Sequence, residues 1–162
     1  MPSASSGPRK RRLQDQMRDM DDVQPTLVAT SVRPISWTRF PGRGRGIVTR
    51  RVIRPDAILE VAPAIPMDVA GCDKALGQYL FVINRDERDS LPKTFPSSSY
   101  ALVFGIMSFC NHAPDPNARV YFHLDTDGGL EACLIATQHI LEQEEVTIRY
   151  PDLTWYQDRR ML

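Results

Sequence analysis

Proline and glycine set the scale of what this chain can build. Thirteen prolines and nine glycines punctuate mostly short apolar stretches: "TLVATSV", "GIVTRRVI", "AILEVAPAI", "ALVFGIMSF", "ARVYFHL", "LEACLIATQHI" and "EVTIRY". These stretches have strand length and are rich in Val, Ile, Tyr and Phe, and Asp127-Gly128-Gly129 is a turn signal between two of them. Proline lacks the N–H that a central strand or a helix interior requires. The expected fold is therefore loop-rich and mainly β, with short helices. The best helical segment is "GCDKALGQYLFVI"; Gly77 weakens it, and its Tyr79 to Ile83 end reads equally well as a strand.

A chain of 162 residues fits one domain with a substantial core. Residues 1–25 read as a disordered charged tail, 26–150 as the folded domain and 151–162 as a short C-terminal segment. The tail holds the basic run Arg9, Lys10, Arg11 and Arg12, which reads as a solvated tail, with nuclear import or nucleic-acid contact as the alternatives. Twenty basic residues balance twenty acidic ones, so no overall field draws the protein to nucleic acid or membrane. No apolar run approaches the ~20 residues a bilayer requires, and the polar start lacks a signal-peptide pattern. The expectation is a soluble intracellular protein of cytoplasm or nucleus. Cys72, Cys110 and Cys133 are odd in number and form no C-x-x-C pair, so they are expected to be buried thiols rather than disulfides or zinc ligands.

Three motifs carry the chemistry. "GRGRG" places Gly42, Gly44 and Gly46 before an apolar segment, a pattern that serves either a simple turn or close approach of backbone to a ligand. "FCNHAPDPN" concentrates Cys110, Asn111, His112, Asp115 and Asn117 between prolines. A Cys110–His112 nucleophile lacks a base-orienting partner, and a metal site lacks donors, so no metal is expected. The better reading is a turn fixed by Asn and Pro, whose amide side chains bond to backbone. "LEQEEVTIRYPD" ends in a strand whose period of two sets Val146, Ile148 and Tyr150 on one side, with Pro151 as its stop. Taken alone, a tyrosine at a strand end beside a proline reads as packing before catalysis.

Taken in order, "GRG", "QYLFVI", "FGIMSFCNHAPDPNARV" and "ATQHILEQEEVTIRY" resemble the pattern of the SET-domain protein lysine methyltransferases, from about Ser36 to Tyr150. The resemblance implies a SET-domain β fold with a C-terminal pseudoknot and use of S-adenosyl-L-methionine to methylate a lysine in a histone tail or another protein. It implies cofactor contacts at Gly44, Arg45, Gly46, Tyr79, Asn111 and His112, and Tyr150 as the catalytic residue. Phe81 and Ile148 would line the lysine channel, with Trp155 and Tyr156 available to close it. Ile148 replaces an aromatic found in the family, which implies more than one methyl added. No membrane or nucleic acid is needed. Ala113, Gln143 and Arg149 depart from the usual Ser, Gly and acidic residue, and they sustain an alternative: a SET-fold binding module without turnover.

Overall fold

The computed structural model describes residues 33–67, 72–77, 79–92 and 100–150. The charged tail and the "TLVATSV" stretch lie outside them, as do Trp155 and Tyr156. Among the described residues, strands dominate. β1 (Ile35–Phe40), β2 (Gly44–Thr49), β9 (Glu145–Ile148) and β6 (Asn111–His112) form a four-stranded sheet in that spatial order. A five-stranded sheet runs β4 (Leu80–Val82), β5 (Tyr100–Val103), β3 (Ile58–Met67), β8 (Leu130–Ala136) and β7 (Ala118–Leu124).

Within the described residues, the apolar stretches map onto these strands with two exceptions. "ALVFGIMSF" breaks at Gly105: β5 ends at Val103, and Ile106–Phe109 forms a 3₁₀ turn. The buried Glu60 carboxylate explains the break, since it accepts hydrogen bonds from the amides of Ile106 (3.1 Å) and Met107 (2.7 Å). These are first-turn donors with no partner inside the turn itself. In "GCDKALGQYLFVI" the helix α1 is the single turn Lys74–Gly77, and the chain resumes as β4. The helix α2 (Arg85–Ser90) is closed by a capping box, with Asn84 Oδ1 accepting from the Glu87 amide at 3.0 Å and Glu87 Oε2 from the Asn84 amide at 3.1 Å.

Alternation along the strands builds one core. Ala62, Ala64, Ala101, Val103, Phe122, Ala132 and Leu134 from the large sheet meet Ile35, Ile47, Val146 and Ile148 from the small one. Small alanines on central strands beside Phe122 and Leu134 allow the two sheets to approach closely. The feature that positions the site is the parallel pairing of β6 with β9, which matches Asn111 to Thr147 and His112 to Ile148. It sets the asparagine-histidine motif against the strand that leads to Tyr150.

Candidate active site

The glycine motif is explained by two different demands. Arg43 N donates to Phe40 O across Pro41 and Gly42, and Gly42 has φ +72°, the glycine-favouring position of a type II turn with proline before it. Gly46, by contrast, has ordinary backbone. A Cβ there would stand 2.6 Å from Asn111 Nδ2 and 2.6 Å from the Phe40 ring. The missing side chain is what lets Asn111 reach across the sheet. Its amide then donates to Glu145 Oε1 at 2.7 Å, and Glu145 is ion-paired with Arg43 at 2.8 Å. Arg43 lies over the Phe40 ring, 4.7 Å from its centroid, and Arg45 over Phe109 at 4.6 Å. The glycine turn, the asparagine and the glutamate of the last motif are thus one connected network.

Asn117, to which the sequence assigns no role of its own, fastens the same strand. Its Nδ2 donates to Glu145 O at 2.8 Å and its Oδ1 accepts from Thr147 N at 2.9 Å. A buried amide side chain here substitutes for a neighbouring strand. The expectation that an Asn fixes a turn by bonding backbone is realised across 30 residues of sequence rather than locally.

His112 and Tyr150 complete the junction. The Tyr150 amide donates to His112 Nδ1 at 3.0 Å, so the neutral ring carries its proton on Nε2. The two rings lie 5.5 Å apart. The Tyr150 hydroxyl donates to the Cys110 carbonyl at 2.6 Å. This bond fixes the phenol against the segment just before Asn111.

Beside the phenol is a cavity of about 680 Å³, lined by Tyr79, Phe81, Cys110, Ile148 and Tyr150 among others. Strand periodicity did set Ile148 and Tyr150 on one side, and Phe81 and Tyr79 join them from β4 and the residue before it. Gly46 and Asn111 lie together, with Gly44 and Arg45 on the same strand β2, and none of these lines the cavity. Burial first, with Glu60 and Glu145 adding to it, pushes the Cys110 thiol far above the ordinary range, which removes it as a nucleophile. Cys133 is also buried and raised, by burial and then Glu131, whereas Cys72 is only half-buried, a correction to the expectation of three buried thiols. Among the described residues no His/Cys/Asp/Glu group is placed to hold a metal, and no helix is long and apolar enough to cross a membrane.

The SET-domain family model matches residues 44–151. The chain belongs to the SET-domain family. This SET domain shares its fold with a Plasmodium falciparum protein described as a candidate histone methyltransferase, at 21% identity and TM-score 0.57 over 76% of this chain and 97% of that one. It likewise matches the Neurospora SET domain protein DIM-5, a histone lysine methyltransferase, at 19% identity and TM-score 0.56 over 75% of this chain. The match spans 53% of the DIM-5 chain. No curated protein sequence matches the chain.

Two departures from the SET pattern fall at defined backbone positions. Gln143 stands in a left-handed conformation, φ +63°, inside a turn closed by Glu144 N to Leu141 O at 3.1 Å. Glycine is the usual residue for that geometry, and Gln143 adopts it at a cost. Ala113 donates its amide to Ile148 O at 3.1 Å, which extends the β6–β9 pairing through backbone alone.

Proposed function

We propose that this SET domain transfers a methyl group from S-adenosyl-L-methionine to the side-chain amine of a protein lysine, in a histone tail or another protein. The observation that carries the reading is the Tyr150 hydroxyl, anchored to Cys110 O at the wall of a cavity with apolar sides.

The residues fit the cofactor. Gly44 has φ +78° and nothing within 4 Å of where a Cβ would stand, so its backbone is open to a ligand. Arg45 adds a guanidinium for a carboxylate. Asn111 Nδ2 and His112 Nδ1 are spent on Glu145 and the Tyr150 amide, which leaves Asn111 Oδ1 and His112 Nε2–H as their side-chain offering to a ligand. When bound, the cofactor supplies a methyl group made electrophilic by its sulfonium. The parallel β6–β9 pair beside Tyr150 supports the pseudoknot arrangement that joins the two motifs.

The chain's own residues prepare the amine. Because the Tyr150 proton goes to Cys110 O, the phenol acts toward substrate as an acceptor, which holds an amine N–H and aims the lone pair. Phe81 and Ile148 provide apolar walls. Lysine has an ordinary pKa of ~10.4, and desolvation favours the neutral amine that transfer requires. Alignment of this kind contributes on the order of several kcal/mol, up to the ~7–11 of well-oriented intramolecular reactions. No strong base is needed at the site.

The test is incorporation of label from methyl-labelled cofactor over a panel of histones, ribosomal proteins and cell lysate, followed by amino-acid analysis. Methyl-lysine supports the reading. Absence of incorporation by a protein that binds the cofactor overturns it in favour of a binding module.

A further inference from the structure

We propose that the lysine accepted here is flanked by acidic residues, and that this selectivity is set by Arg119 and Arg149. The inference rests on the lysine methyltransferase reading and deepens it. Both guanidinium residues line the cavity that holds Tyr150, and no Asp, Glu, Lys or His is among the cavity's other described residues. Both are exposed, on different elements: Arg119 on β7, and Arg149 between β9 and Tyr150. Neither forms an ion pair with a described residue.

The remaining polar surroundings do not cancel this charge. Glu87 is the carboxylate that Arg119 influences, but it is buried, and its oxygens accept from the backbone amides of Asn84 and Phe122. Arg43 and Arg33, by contrast, are paired with Glu145 and Glu60. The cavity thus carries two cations and presents them to whatever enters. A peptide rich in Lys and Arg is repelled, whereas Asp or Glu beside the target lysine gains two complementary partners. The same positive field disfavours the ammonium form of the entering lysine, and so assists the amine.

Exposed charge pairs each contribute ~0.2–1 kcal/mol, so two of them correspond to a preference of roughly 2- to 30-fold. The experiment uses the full chain and three peptides with a single central lysine and flanks of Asp, Ser or Arg. Methylation gives KM, and fluorescence anisotropy gives affinity independently of turnover. The expected result is tightest binding and lowest KM for the Asp peptide, an advantage that shrinks with added salt. Arg119→Glu/Arg149→Glu should reverse the order in the anisotropy measurement, with circular dichroism confirming the fold. Equal binding of the three peptides, or preference for the Arg peptide by the unaltered chain, overturns the proposal. Should no peptide be methylated while the Asp peptide binds best, the charge inference stands and the methyl-transfer reading is what fails.

Discussion

Replacing Gly46 with alanine tests the reasoning behind the glycine motif. The new Cβ would lie 2.6 Å from Asn111 Nδ2 and 2.6 and 2.8 Å from two carbons of the Phe40 ring. Real Cβ contacts do not reach such distances, so Asn111 or Phe40 must move. Overpacking of this kind costs ~1–3 kcal/mol. Displacing Asn111 also breaks its 2.7 Å bond to the Glu145 carboxylate, and hydrogen bonds to charged groups are worth ~1.5–3 kcal/mol. The sum is a loss of about 2.5–6 kcal/mol, a large part of the ~5–15 kcal/mol that typically holds a domain together. Gly42→Ala is the control, because it has φ +72° but nothing within 4 Å of its Cβ position. It carries only the left-handed backbone cost of ~1–2 kcal/mol. Urea unfolding followed by circular dichroism separates the two. Gly46→Ala within about 0.5 kcal/mol of the unaltered protein, or less destabilising than Gly42→Ala, would refute the close-approach argument.

Other consequences follow from single contacts. Glu60→Ala strips the acceptor from two amides of the 3₁₀ turn, one of them on fully buried Met107, and should cost ~2–4 kcal/mol in the same unfolding assay. Gln143→Gly relieves the left-handed strain at φ +63° and should be stabilising by up to ~1 kcal/mol, read as a higher urea midpoint. The Cys110 thiol, held protonated by burial and by Glu60 and Glu145, should resist alkylation as pH rises past the ordinary thiol range for as long as the fold persists; mass spectrometry of the alkylated native protein locates any exception. Ile148→Tyr places a hydroxyl in the cavity and, on the proposed function, should limit the product to fewer methyl groups than the unaltered protein forms. Monomethyl-lysine alone from the unaltered protein at long reaction times would remove that idea.

Much of this organisation was legible before any coordinates. Short apolar stretches rich in Val, Ile, Tyr and Phe, cut off by Gly and Pro, located most of the strands, and a period of two along "EVTIRY" set Ile148 beside Tyr150. The motifs' partners were not legible. Nothing local in "GRGRG" reveals that Gly46 is needed for the amide of Asn111, 65 residues away, or that Glu145 holds both Asn111 and Arg43. Likewise Glu60 sits in an apolar strand, and only the folded chain shows that it caps a turn at Ile106 and Met107. The helix α2 was missed although Asn84 and Glu87 have capping-box spacing, since "NRDERDS" has no apolar periodicity to draw attention to it. Gln143 shows the converse: a departure from the SET pattern that is visible in the sequence, whose left-handed backbone only the folded chain reveals.

The central claim is that the Tyr150 phenol aligns an amine for methyl transfer, and the single-turnover rate of Tyr150→Phe tests it most directly. The account predicts a fall of about 100-fold or more, with cofactor affinity changed by no more than about two-fold. Transfer by the phenylalanine variant at the unaltered rate would contradict it.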